Sequence, residues 1–175
     1  MLLCYNNITI RNATPKDGEL LCQWWNNGEL MVDVGFPKGL GTTAEKIFAD
    51  LATDSDDTRR RLIVELDGRP MGEMAYENLE NNTASMDIKI CDLSLQNRGY
   101  GKILMSLVIA WLFDQGYREI LLKVDGDNKR AQHVYEQIGF VPVATHKDSW
   151  KDQLGNLRWE IDYRLTQENF NNYAK

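Results

Sequence analysis

The segment Gln96-Asn97-Arg98-Gly99-Tyr100-Gly101-Lys102 constrains this chain more than any other. It follows an alternating stretch and precedes Ile103, Leu104, Leu107, Val108 and Trp111, which recur at helical spacing. A glycine-bearing turn between a strand and such a helix makes a ready anion site. The first helical turn has backbone N–H groups without partners and lies at the positive end of the helix dipole. Gly99 and Gly101 let a phosphate approach the backbone with no Cβ in the way. Arg98 and Lys102 add positive charge at the rim. A plain helix entry that needs glycine for its turn would also fit the tripeptide. The pattern is not the dinucleotide fingerprint, because Leu104 stands in the third glycine's place. It is not a P-loop either, since the preceding glycine and the Ser/Thr after the lysine are missing. The phosphates of some other cofactor are expected.

The surrounding pattern is mixed. Ile8–Arg11 reads as a first strand. Thr14-Pro15-Lys16-Asp17 reads as a helix start, with Leu20, Leu21, Trp24 and Trp25 on the apolar face and Gly28 at the end. Residues 26–42 read as a loop, and Thr42-Thr43-Ala44-Glu45 as a capping box opening a second helix to about Leu51. Arg61–Leu66 and Met71–Tyr76 alternate as strands around an Asp67-Gly68 hairpin turn. After the Asn81-Asn82 turn, Ala84–Ile90 forms a fourth strand with Met86, Ile88 and Ile90 on one face and Asp87 and Lys89 on the other. Beyond the glycine turn, the helix ends at Gly116, and Ile120–Val124 is a short buried strand. Ala131, Val134, Tyr135 and Ile138 stripe another helix ended by Gly139; Phe140–His146 and Leu157–Leu165 close the sheet. This order predicts an α+β sheet with a parallel element late in the chain. No repeat or linker divides residues 1–175, so one domain is expected.

Composition narrows the chemistry. Cys4, Cys22 and Cys91 lie far apart, and His133 and His146 are isolated, so neither a disulfide framework nor a metal centre is expected. A reducing, cytoplasmic setting fits. The opening Met1–Leu3 is too brief for a signal segment, and Ile103–Phe113 is too short to span a bilayer, so no membrane role is expected. A net charge of −6 argues against a nucleic-acid partner and accords with a cationic substrate.

Gln-x-x-Gly-x-Gly at a strand-to-helix turn resembles the acyl-CoA pyrophosphate loop of the GNAT N-acetyltransferase superfamily. A second segment agrees with it: Asn128-Lys129-Arg130-Ala131, then Val134-Tyr135-Glu136, then Gly139-Phe140. This is similar to the family's N-x-R-A…Y-E-x-x-G-F signature. The resemblance is firm over Leu62–Val143 and looser on the flanks. It implies the GNAT fold, a mostly antiparallel mixed sheet flanked by helices, and acetyl-CoA as cofactor. It places the cofactor on Ile90, Cys91, Asp92 and Leu93, on Gln96 through Lys102, and on Asn128, Arg130, Ala131 and Tyr135, with Lys129 a further candidate. The backbone of Ile90–Leu93 is expected to pair with the pantetheine arm. Asn128 also suits a plain helix cap.

Acetyl transfer to an amine needs a group to take the amine's proton, a donor for the oxyanion, and a proton for the leaving thiolate. Family resemblance points Tyr135 at the CoA sulfur as the acid, while its place on the apolar stripe suits packing; a tyrosine can do both. Ser85-Met86-Asp87 is similar to a segment of the aminoglycoside 6′-N-acetyltransferases and makes Asp87 the candidate base. A solvated carboxylate paired with Lys89 is the plainer reading, and Glu73 or bulk water could serve instead. An ordinary aspartate is too acidic for this work unless burial raises its pKa. For the acceptor, the resemblance points to the early helices, their loop and the late hairpin. Trp25, Asp33, Phe36, Glu73, Asp87 and Trp150 are the candidates, with Trp24 and Trp159 nearby; rings and acids suit a cation. The nearest branch holds the aminoglycoside 6′-acetyltransferases and the ribosomal-protein N-terminal acetyltransferases. The acceptor is therefore a small amine (aminoglycoside or polyamine) or a peptide N-terminus. A non-catalytic acyl-CoA-binding module is the alternative from another class, and a homodimer is plausible by analogy.

Overall fold

A computed structural model describes all 175 residues, Met1 to Lys175. The strands are β1 (Leu2–Tyr5), β2 (Ile8–Asn12), β3 (Arg59–Leu66), β4 (Arg69–Leu79), β5 (Thr83–Ile90), β6 (Glu119–Asp125), β7 (Val141–Lys151) and β8 (Leu157–Thr166). The helices are α1 (Gly18–Trp25), α2 (Gly28–Met31), α3 (Ala44–Ala52), α4 (Tyr100–Asp114) and α5 (Lys129–Ile138). All eight strands join one sheet in the order β1-β2-β3-β4-β5-β6-β8-β7. Every neighbouring pair is antiparallel except β5 with β6. This is the mixed, mostly antiparallel α+β sheet expected, with its parallel step where the sequence placed it.

Local chemistry sets the turns. Asp67 and Gly68 take φ of 51° and 72°, the paired left-handed geometry of a tight hairpin, and Asn81 and Asn82 do the same at 60° and 57°. A third turn, with Asn6 at φ 51°, joins β1 to β2. Starting the first strand at Ile8 misses β1, although an Asn-Asn pair marks that turn as well.

The early region differs from expectation in three ways. The capping box at Thr14 and Asp17 forms, but it opens a 3-10 turn over Pro15–Asp17 that leads into α1. Helix α1 stops at Trp25, and Gly28 begins α2 rather than ending α1, where a Cβ would collide with the Pro37 carbonyl. The supposed loop 26–42 thus holds α2 and a 3-10 turn, Val32–Val34. Helix α3 is capped by Thr43, whose hydroxyl accepts from the Lys46 N–H at 3.4 Å, so the cap falls one residue later than the Thr42–Glu45 box.

Two cores flank the sheet. The larger joins Leu104, Met105, Val108, Ile109 and Leu112 of α4 and Ile138 of α5 to one face. A smaller core on the opposite face packs Leu21 of α1 and Ile47 and Leu51 of α3 on Ile63, with Trp24 and Trp25 at its margin. Each fully buried aliphatic side chain contributes about 1.5–3 kcal/mol. The helices of the smaller core lie over the early strands. Asp87, Lys123, Glu160 and Asp162 project from that same face on the later strands, as strand alternation and register require.

Candidate active site

Strands β5 and β6 pair only from Thr83–Glu119 to Ser85–Leu121 and then part. Beyond that point, Met86–Ile90 and Lys123–Asp125 form the walls of a wedge. The cleft within has a volume of about 420 Å³. Gln96, Asn97 and Gly101 close one end, Asn128, Arg130, Ala131, Val134 and Tyr135 of the α5 region form a side, and Glu29, Leu30, Asp33 and Val34 cover it. The two motif segments, far apart in sequence, meet here.

A polar framework crosses the wedge. The Gln96 side-chain amide donates to the Ile90 carbonyl at 2.9 Å and accepts from Arg130 Nη1 at 2.8 Å. Asn128 caps α5 by accepting from the Ala131 N–H at 3.0 Å, and its Nδ2 donates to Asp33 Oδ2 at 3.3 Å. Gly99 enters α4 at φ 85°, which a side chain would strain. The N–H groups of Asn97, Arg98 and Gly99 have no backbone partner. At Gly101 a Cβ would meet only Val134 Cγ1, at 4.0 Å. The helix end therefore faces open space.

Asp87 and Tyr135 both line the cleft. The Asp87 side chain is 65% exposed, yet it opens into a recess walled by protein. Desolvation by those walls pushes the carboxyl up to about 6; the Arg59 and Lys89 charges oppose the rise and the Glu73 charge adds to it. Its ion partner is Arg59 at 3.4 Å, not Lys89. Lys89 instead turns to Glu73 and Met31. Burial, reinforced by the Asp87 charge, raises the Tyr135 phenol, so it stays protonated at neutral pH. The Tyr135 ring packs edge-on against Phe140 and Tyr163, which fixes its direction. Packing and cleft exposure coexist in this one side chain.

Other candidates lie elsewhere. Glu73 accepts from Trp25 Nε1 at 2.8 and 2.9 Å and pairs with Lys89 at 3.3 Å, so Trp25 and Glu73 lock each other instead of facing the cleft. Trp150 lies against Gly35 and under Arg158, and Phe36 is half-buried in the same loop. Cys91 and Asp92 spend their N–H groups on the Met71 carbonyl, at 2.8 and 3.0 Å, which removes two of the donors expected for the pantetheine arm. The Cys91 thiol donates to the Lys89 carbonyl, and burial raises it to about 12. Asp92 caps the short turn at Ser94, whereas Leu93 does line the cleft. Lys102 lies 4.7 Å over the Tyr173 ring and Lys129 lies over Trp159, so neither aims at the cleft; Arg98 is exposed and Tyr100 is packed on the core.

Sequence reasoning missed one organising residue. Gln153, near the tip of the β7–β8 hairpin, donates its N–H to the Gly35 carbonyl at 2.8 Å. Its side chain accepts from the Lys38 N–H at 2.8 Å and donates to the Gly39 carbonyl at 3.0 Å. These contacts clamp the segment that continues from the cleft's cover. An exposed glutamine in a turn carries no signal of such a role. Lys123 and Asp125 also line the cleft, legible only once β6 is known to turn that edge inward.

The acetyltransferase (GNAT) family model matches residues 19–140. The chain belongs to the GNAT family. A mycothiol acetyltransferase of Thermomonospora curvata is 28% identical over 140 residues, covering 79% of this chain and 46% of that protein. The chain spans less than half the length of the curated relatives it matches. Among solved structures, a RimL ribosomal alpha-N-protein acetyltransferase in complex with coenzyme A superposes with a TM-score of 0.84 at 15% identity, covering 95% of this chain and 98% of that one. A spermidine N-acetyltransferase from Vibrio cholerae, in complex with CoA and spermine, gives 0.81 at 20% identity, covering 93% and 97%. These likenesses establish the GNAT fold. No helix is long and apolar enough to cross a membrane.

Proposed function

We propose that the chain moves the acetyl group of acetyl-CoA onto a primary amine by direct attack in a ternary complex, and that the acceptor is a small cationic amine such as a polyamine or an aminoglycoside. The observation that carries this is the wedge itself. It sets an unpartnered helix N-terminus at one end, parted strand edges along its length, and Asp87 and Tyr135 on its lining.

The residues present fit the cofactor. The loop N–H groups of Asn97–Gly99 and the first turn of α4 suit a pyrophosphate, with Arg130 beside them. The parted edges of β5 and β6 suit a chain that carries amides. Acetyl-CoA, when bound, supplies the thioester carbon for the amine to attack and the thiolate that leaves. Asp87, ionised at pH 7, takes a proton from the incoming ammonium. Tyr135, held protonated, would donate its hydroxyl proton to the departing sulfur as a C–N bond replaces the C–S bond; the second proton shed by the new amide nitrogen would restore the phenol, and Asp87 would release its proton to solvent. Glu73 is tied to Trp25 and Lys89 away from the cleft, which leaves Asp87, held only by a long, exposed Arg59 contact, as the carboxylate on the cleft lining.

The cover over the cleft favours a small acceptor. Segment 28–39 is anchored to the β7–β8 hairpin through Gln153, a clamp independent of the cofactor, which narrows the side an extended peptide would need. Acetyl-CoA consumption, followed by free-thiol release, tests the reading on spermidine, an aminoglycoside and short peptides with free N-termini. Turnover with the small amines is expected. Turnover with peptides alone would replace the acceptor, and silence on every acceptor with CoA still bound would make the chain a binding module.

A further inference from the structure

Asp33 occupies an unusual place for a residue of the acceptor cover. It sits in the 3-10 turn Val32–Val34, yet its carboxylate reaches across the cleft to α5. Asp33 Oδ2 accepts from Asn128 Nδ2 at 3.3 Å and lies 3.8 Å from Arg130 Nη2. Arg130 in turn holds Gln96 at 2.8 Å, and Gln96 holds the Ile90 carbonyl. One carboxylate thus engages, from the acceptor side, Arg130, which the proposed function sets beside the pyrophosphate, and Asn128, which the family resemblance gives to the cofactor.

We infer that Asp33 is an internal competitor for the cofactor: its carboxylate holds Asn128 and Arg130 in place of the incoming anion, and cofactor binding evicts it. Resting on the cofactor assignment of Asn128 and Arg130, this joins the two substrates through one residue. A guanidinium between two anions favours the more highly charged one, and a pyrophosphate presents more charge than a carboxylate. The evicted Asp33 frees one anchor of segment 28–39, while the Gln153 clamp still holds the other. The cofactor therefore loosens the cover on the side from which the acceptor arrives. The latch is weak by construction. Its two side chains are 53% and 52% exposed, and pairs of that kind are worth little. It can hold the cover without blocking the cofactor.

The test is calorimetric titration with CoA, which needs no acceptor. Asp33→Ala is expected to bind CoA about two- to fivefold more tightly than the unaltered protein. Arg130→Ala is expected to bind more weakly, and adding Asp33→Ala to it should recover less than the single change does, because one of the two contested groups is gone. Glu29→Ala is the charge control. Glu29 also lines the cleft, but no hydrogen bond or ion pair ties its carboxylate to α5. Equal tightening by Glu29→Ala and Asp33→Ala would reduce the effect to bulk charge and overturn the inference. Unchanged or weaker binding by Asp33→Ala, with Arg130→Ala weakened, would overturn it while sparing the cofactor assignment. Unchanged binding by Arg130→Ala would remove that assignment and the inference together.

Discussion

Along the cofactor wall, Gln96 reaches Ile90 from six residues away and Asn128 caps Ala131 from three. Over the acceptor side, Gln153 holds Lys38 and Gly39 from 115 and 114 residues away, and Asn128 meets Asp33 across 95. One half of the cleft is built by a strand, a turn and a helix start that carry their own geometry. The other is assembled late, from a loop and a hairpin that mean little until they touch. The cofactor half should therefore behave as a rigid template. The acceptor half should be adjustable, its shape set by a few replaceable polar contacts.

Gly101→Leu tests the template most severely. The site has room for a Cβ, so the fold should survive with unchanged melting, while the longer side chain fills the cleft. CoA affinity should fall by about a hundredfold or more, roughly 2.7 kcal/mol. Equal affinity would remove the helix end from the cofactor site. Next in size is Tyr135→Phe, which keeps the packing against Phe140 and Tyr163 and loses only the proton donor. Steady-state kinetics should show kcat down by about a hundredfold with CoA affinity preserved. A fully active variant would return Tyr135 to packing alone. The smallest effect belongs to the adjustable half. Gln153→Ala removes two side-chain hydrogen bonds, each worth about 1 kcal/mol. The half-saturating amine concentration should rise about three- to tenfold while CoA affinity holds. An equal loss on both substrates would deny that the halves are separable.

The same contrast explains what could be read in advance. Gly99, Gly101, Asn128 and the stripe Ala131–Ile138 announce their roles through local backbone chemistry, and the structure brings Gly101, Asn128, Ala131, Val134 and Tyr135 to one cleft while Ile138 packs in the core. The hairpin turns at Asp67-Gly68 and Asn81-Asn82 are local too, and they form as written. Charged rims proved less legible. Lys102 and Lys129 follow the motif in sequence but rest on Tyr173 and Trp159, because a long side chain settles on the nearest ring that tertiary packing offers. Trp25, Glu73 and Trp150 have the right chemistry for a cation and are spent on one another or on the fold. Residue type narrows a candidate set; only the third dimension says which members are free. The paired N–H groups of Cys91 and Asp92 follow the same rule, since their partner Met71 lies on another strand.

Asp87 stands where the two halves meet, so its titration is the sharpest probe of the proposed proton transfer. A carboxyl raised to about 6 cannot accept a proton below that pH and can above it. The pH dependence of amine acetylation, followed by thiol release from pH 5 to 9, should therefore show activity rising through about pH 6. The acceptor amine's own titration lies higher. Asp87→Asn should lose that limb and about tenfold or more of the rate at pH 7, with CoA affinity retained. An unchanged limb in Asp87→Asn would mean that the proton leaves the amine by another route and that Asp87 is not the base.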